Sequence, residues 1–210
     1  MSAPLHDRHD RHACRAGSRR PLRSQAGVLA VEFGMLSLFF FAMVVGIIEV
    51  SRVLYIWNTV QEVTRTAART ASMTDVADTA ALATVRQRAV FRTTPGELLF
   101  GSPISDSHVR IDYLALQRDA SGALRQAPIP TGNLPACPMR NRLICDTNSS
   151  DARCVRLVRA RICDPAQTEC VPVRYQPLLS LPLLSIELPI ATTIVRAESL
   201  GYAPMQRMCP

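Results

Sequence analysis

The longest apolar run in the chain covers residues 28–48, which read VLAVEFGMLSLFFFAMVVGII and include one charge, Glu32, and one hydroxyl, Ser37. A helix of that length extends about 31 Å at about 1.5 Å per residue, which matches a bilayer core of about 30 Å. Because lipid offers no partners to open backbone groups, a single spanning segment must be helical. The pattern therefore predicts a transmembrane helix, which we assign to residues 28–50.

Beyond the span, apolar positions recur at steps of three and four residues, which predicts an amphipathic helix continuous with it. The stripe consists of Val50, Val53, Leu54, Trp57, Val60, Val63, Thr64, Ala67, Ala68 and Ala71. It packs either on the protein's own outer domain or on another subunit, and the sequence favours neither. A second helix, rich in alanine, is expected to start at Thr74-Asp75 and to end before Pro95-Gly96. Together these form a helical extension over residues 51–92.

From about residue 106 the pattern changes to the alternation typical of strands. Val109, Ile111 and Tyr113 alternate with polar residues, and a turn at 119–122 predicts a hairpin. Further strands are expected between Cys154 and Cys163, around 171–175 at a sheet edge because of Pro172, and over 192–198. Residues 127–151 are expected to form a long loop held by Cys137 and Cys145. The run 178–189 is expected to be an apolar loop or a membrane-surface segment.

The predicted fold class is therefore α+β, a long N-terminal transmembrane and amphipathic helix followed by a small antiparallel β domain with disulfides over residues 93–210. Six cysteines lie beyond the span, an even number that favours disulfides in an oxidising compartment. Their irregular gaps exclude the common zinc and thioredoxin-like spacings. They allow about 15 pairings, and an inter-chain bond or a free thiol stays open. The candidates are Cys137, Cys145, Cys154, Cys163, Cys170 and Cys209.

The charge pattern predicts the orientation of the span. All 24 basic residues are arginine, and six of them lie before residue 28 against only Asp7 and Asp10. This basic leader, residues 1–27, predicts a single-pass protein of the inner (cytoplasmic) membrane with a cytoplasmic N-terminus and an extracytoplasmic C-terminal domain. No basic stripe with interleaved aromatic residues is present, so nucleic acid is not an expected partner. The run exits into charged residues without a small-residue cleavage pattern, so it is not expected to be a cleaved secretory signal.

The junction of leader and span carries the most specific motif. Gly27 ends the leader, four apolar residues follow from Val28, and Glu32-Phe33 comes next. This order resembles the prepilin processing site of type IV pilins, and is most similar to the TadE-like family of the tight-adherence pilus system, in which G-x-x-x-x-E-[FY] recurs.

The resemblance extends over roughly residues 26–70. Residues 46–55 contain Glu49, Arg52 and Tyr55 and are similar to the family's G-I-[IV]-E-[FV]-[GS]-R-x-x-Y stretch, and residues 61–69 resemble its helix ending in A-A-R. Residues 171–198 resemble the family's closing strand and amphipathic region less specifically. The cysteine-containing middle matches nothing.

The resemblance implies a pseudopilin, a minor pilin-like component that a prepilin peptidase cleaves between Gly27 and Val28. Such a protein acts by packing its helix with other pilins and pseudopilins in the membrane. The carboxylate of Glu32 would then pair with the new Val28 ammonium of a neighbouring subunit. An ionisable residue inside a span is costly and usually functional, although a snorkelling glutamate without a role is the alternative.

Two other functions stay open. The first is a signal-anchored extracytoplasmic binding protein in which Glu32 is incidental. The second is a membrane-anchored enzyme, but the common nucleophile, metalloprotease and nucleotide motifs are absent. Beyond the leader, His108 is the one histidine, and Ser102–Ser107 beside it is expected to be a solvated loop rather than half of a dyad. We therefore expect no catalytic residue, metal site, cofactor or small-molecule substrate.

Overall fold

The computed structural model describes residues 25–178, 186–203 and 209. The basic leader up to residue 24 and residues 179–185 of the apolar run lie outside the described residues, as do the predictions made for them. The chain divides into two compact units, Met1–Val45 and Gly46–Pro210, and each is described by itself. The predicted division into a leader, a span, a helical extension and an outer domain stays a prediction.

Helix α1 spans Gln25–Ala71, so the predicted helix runs without interruption from the apolar segment into the extension. Its apolar part is long and hydrophobic enough to cross a membrane, with a mean hydropathy of 2.3 over an 18-residue window, none of which is buried. In the first unit the large side chains of this helix are exposed, Phe33 at 74% and Leu38 at 68%. An exposed apolar surface of this extent fits a lipid environment.

The second unit is built on a four-stranded antiparallel sheet in the order β2-β1-β3-β4. Its strands are β1 Val109–Arg118, β2 Leu124–Pro128, β3 Leu157–Ile162 and β4 Thr192–Arg196. Tyr113 pairs with Val158, which in turn pairs with Val195. The predicted hairpin, the strand between Cys154 and Cys163 and the final strand are confirmed, and with them the α+β class.

The C-terminal half of α1 packs on one face of this sheet. Five of its apolar side chains are fully buried in the same core cluster as Val109 and Ile162 of the sheet, and Ala71 is buried in a second cluster. The amphipathic stripe therefore packs on the protein's own domain from about residue 56 onward. The buried residues are Ile56, Val60, Val63, Thr64, Ala67, Ala68 and Ala71.

The second predicted helix exists, but its start is corrected. Helix α2 spans Thr79–Ala89, and Asp78 caps it by accepting a hydrogen bond from the Ala81 N–H at 2.8 Å. The predicted start at Thr74-Asp75 lies instead in turns, because Asp75 uses its carboxylate on the Ala77 N–H. A short polar side chain can hold either a turn or a helix start, and here the later aspartate begins the helix.

Two predictions for the cysteine-containing region were wrong. The expected loop over 127–151 contains helix α3, Pro138–Thr147, whose proline occupies the first turn, where its missing N–H costs nothing. The expected strand around 171–175 is one isolated bridge between Arg174 and Glu187. The pairing there is limited to two hydrogen bonds, from the Tyr175 N–H to the Ile186 carbonyl and from the Leu188 N–H to the Val173 carbonyl.

Three disulfides cross-link the second unit. Cys137 pairs with Cys209, Cys145 with Cys154, and Cys163 with Cys170. The first joins the start of α3 to the C-terminal end of the chain across 72 residues. A cross-link over a long loop restricts the unfolded chain most, which suits a small sheet with a limited core.

Candidate functional site

The residues of the predicted processing junction lie at the start of α1. Gly27, Val28, Glu32 and Phe33 are all exposed in the first unit. A Cβ added to Gly27 would meet no atom within 4 Å. Helical side chains point back toward the N-terminus, so the Glu32 side chain extends over the turn that contains Val28. An ammonium at Val28 and the carboxylate at Glu32 would therefore occupy one face of the helix.

The family-motif residues of the second unit form a separate site. Glu49, Arg52 and Tyr55 follow each other at steps of three residues, which places them on adjoining parts of one face of α1. Together they bind two chain segments that are distant in sequence, residues 99–102 and residues 175–178. We call these three side chains the helix clamp.

Arg52 makes most of the contacts in the helix clamp. Its Nε donates to the carbonyl of Phe100 at 3.2 Å, and its Nη2 donates to the carbonyl of Ser102 at 3.0 Å. Its Nη1 donates to the carbonyl of Gln176 at 2.8 Å, and the guanidinium lies 5.3 Å from the centroid of the Tyr175 ring. A planar group with five donors can join two segments in this way, whereas a lysine ammonium is a single point of charge.

Glu49 and Tyr55 complete the clamp on either side of Arg52. Glu49 is buried at 8% exposure and accepts hydrogen bonds from the Tyr175 hydroxyl and the Leu178 backbone N–H. Burial raises the pKa of Tyr175, and its hydrogen bond to Glu49 raises that pKa further. The Tyr175 hydroxyl therefore stays protonated and donates a hydrogen bond to the Glu49 carboxylate. Tyr55 donates its hydroxyl to the carbonyl of Leu99 at 3.0 Å.

The sequence identified these three residues only through the resemblance, and it did not reveal what they bind. The spacing of Glu49, Arg52 and Tyr55 was visible, and it is typical of residues that share a helix face. Their partners are 44 to 129 positions away along the chain. Apart from Tyr175, those partners are backbone groups, which carry no sequence signal.

We predict that Arg52→Ala lowers the stability of the second unit. The change leaves three backbone carbonyls without their charged donor. A hydrogen bond to a charged group contributes about 1.5–3 kcal/mol net, and less where water can replace the donor, as at the exposed Phe100 and Gln176 carbonyls. We expect a loss of about 2–4 kcal/mol in the free energy of unfolding, measured by thermal unfolding of the detergent-solubilised chain.

The matched control for this measurement is Arg65→Ala. Arg65 lies on the same helix, its side chain is 68% exposed, and it pairs with Glu62 at 3.9 Å. An exposed pair of this kind contributes roughly 0–1 kcal/mol. Equal melting temperatures for the Arg52 and Arg65 variants would contradict the role given to the helix clamp.

The one histidine considered for catalysis caps a turn. Its Nδ1 accepts a hydrogen bond from the Ser105 backbone N–H at 3.1 Å and lies 2.8 Å from the Ser105 hydroxyl, at a 3-10 turn spanning Asp106–His108. Burial lowers the pKa of His108, with Asp164 opposing that shift. The expected solvated loop is therefore a hydrogen-bonded turn. Within the described ranges, no group of three or more His, Cys, Asp or Glu side chains could hold a metal ion.

Comparison with known proteins supports the resemblance along α1. The model of the TadE-like protein family matches residues 27–69, from the glycine of the junction to the end of the A-A-R helix. No curated protein and no solved structure matches the chain. The match indicates a component associated with tight-adherence pili, with membrane association and pilus-related partners. That family is not a family of enzymes.

Proposed function

We propose that this protein is a pseudopilin of a tight-adherence type IV pilus assembly system. A prepilin peptidase cleaves it between Gly27 and Val28, and it then acts by packing α1 against the helices of other subunits. It spans the inner membrane once, with its leader in the cytoplasm and its disulfide-bonded domain outside. The observation that carries the proposal is the family match over residues 27–69, which begins at the glycine of the processing motif.

A free face of α1 supports the packing part of the proposal. Ile47, Val50, Leu54 and Trp57 follow steps of three and four residues and are 55%, 61%, 56% and 46% exposed. By helical periodicity they lie opposite the helix clamp and about 100° around the helix from the buried stripe. This spacing is that of the seam by which two helices pack. The predicted stripe thus divides into a C-terminal part that packs on the sheet and an N-terminal part left for another subunit.

N-terminal analysis of the chain isolated from native membranes tests the proposal. We expect the mature protein to begin at Val28, with or without an N-methyl group, since the peptidase removes the whole basic leader. A native chain that begins at Met1 or Ser2 would overturn the processing step. It would favour a signal-anchored extracytoplasmic binding protein instead.

A further inference from the structure

Three exposed apolar side chains lie together beside the helix clamp. Leu99 and Phe100 are 63% and 76% exposed, and Leu178 is 61% exposed. Leu98, immediately before them, is buried in the core and anchors the turn. Phe100 adopts a φ of 57°, a region that residues with side chains rarely occupy, and a Cβ at Gly101 would collide with Leu98. The tight turn directs Leu99 and Phe100 away from the protein.

One backbone group of each of these three residues is bonded to the helix clamp. The carbonyl of Leu99 accepts from Tyr55, the carbonyl of Phe100 accepts from Arg52, and the N–H of Leu178 donates to Glu49. Apolar side chains with internally bonded backbone groups are what a lipid environment requires of a loop. In water, solvent molecules could donate hydrogen bonds to the same carbonyls, and no arginine would be needed for this.

These side chains lie next to the outer end of the predicted span. Arg52, which holds Phe100, is four residues beyond Ile48, or about 6 Å along the helix. Ile48 and Ser51 line one apolar cavity together with Phe100 and Leu178. Within the second unit, the turn therefore lies beside the residues at which the apolar run ends.

We infer that Leu99, Phe100 and Leu178 insert into the outer leaflet of the membrane that α1 crosses. The surface that these three side chains contact is lipid. Glu97 is the one charged residue of 97–102, and Arg52 already binds protein carbonyls, so the attraction comes from apolar insertion and does not need anionic lipid. The inference depends on α1 crossing a membrane, but it does not depend on pilus assembly or on cleavage after Gly27.

The depth of Phe100 can be measured with a single tryptophan. Trp57 is the one native tryptophan, so Trp57→Phe combined with Phe100→Trp places the probe on the turn of the full-length chain. The protein is reconstituted into phosphatidylcholine vesicles whose acyl chains carry bromine just below the headgroups. We expect strong quenching of this tryptophan, several-fold above that of a control at Leu124.

Two control positions separate the possible results. Leu124 is also exposed, at 59%. It pairs with Arg118, the last residue of β1, which lies about 30 Å along the strand from its first residue, Val109. Phe40→Trp in the same Trp57→Phe background reports whether α1 itself inserts. Quenching at position 40 without quenching at position 100 would overturn the inference and leave the pseudopilin proposal standing. Blue-shifted emission at position 100 that rises with the protein-to-lipid ratio, without bromine quenching, would assign the patch to a second copy of the chain and overturn the inference too.

Discussion

Glu32→Val is expected to leave membrane insertion of α1 intact and to abolish co-assembly with partner pilins. Glu32 is the one charged residue of 28–48 and is exposed on its helix. In the proposed assembly its carboxylate faces the Val28 ammonium of a neighbouring subunit in a medium of low dielectric. Removing one partner leaves the other charge uncompensated, which costs about 3–5 kcal/mol for a buried pair. At about 1.4 kcal/mol per factor of ten, association should fall by a hundredfold or more.

The opposite effect is expected for insertion itself. An acidic residue opposes insertion into the bilayer, by about 2.5–3.5 kcal/mol at the centre and less near the edge where Glu32 lies. Valine removes that cost, so the amount of protein in the membrane should stay equal or rise. Co-purification of tagged partner subunits, normalised to the membrane-inserted chain, therefore separates assembly from insertion.

Two variants show whether charge or shape is responsible. Glu32→Gln keeps the size and polarity of the side chain but removes its charge, so it should fail in the same way as valine. Ser37→Val removes the other polar side chain of the apolar run without changing its charge, and it should assemble normally. Pilus formation at wild-type levels in both Glu32 variants would exclude the pairing mechanism.

The parts of the fold that depend on local periodicity could be predicted from the sequence. A helix repeats every 3.6 residues and a strand every two, so α1, the hairpin of β1 and β2, and β4 are visible in short windows. The start of α2 was placed too early because Asp75 and Asp78 offer similar capping chemistry. Only the hydrogen bond from the Ala81 N–H decides between them.

The parts that depend on contacts between distant residues could not be predicted. Cys137 and Cys145 lie near each other in sequence, yet each pairs with another cysteine. Cys137 caps α3 and Cys145 lies within it, so the helix holds them about 12 Å apart, which is too far for a disulfide. A signal for α3 was present in Pro138, since proline is common at the first position of a helix. Proline also marks loops, and the surrounding Gly, Asn and Ser residues favoured that second interpretation.

The helix clamp shows the same limit at the candidate site. The motif Glu49-x-x-Arg52-x-x-Tyr55 identified a helix face, but its partners are mainly backbone groups of two other segments. Backbone carbonyls are identical in every residue, so no pattern marks the ones that an arginine will bind. The family match ends at residue 69 and contains none of those partner segments, although it contains all three clamp residues.

Gly27→Ala is expected to abolish cleavage, while Gly34→Ala is expected to leave it unchanged. Both glycines belong to α1, and at either position an added Cβ meets no atom within 4 Å, so neither substitution is blocked by the protein itself. Alanine stabilises a helix by about 1 kcal/mol relative to glycine, so both variants should fold and insert. Under the proposed processing step, any difference between them must therefore arise in how the peptidase accepts the residue before the cut bond.

Intact-mass measurement on membrane-extracted protein distinguishes the outcomes directly. The Gly27→Ala chain should retain all 27 leader residues, and the Gly34→Ala chain should begin at Val28 like the wild type. A Gly27→Ala chain that begins at Val28 would show that glycine is not required there. An uncleaved chain also lacks the Val28 ammonium while keeping Glu32, so it should fail in co-assembly as the Glu32 variants do. The pairing mechanism requires that both kinds of variant fail in co-assembly, because each lacks a different half of the pair.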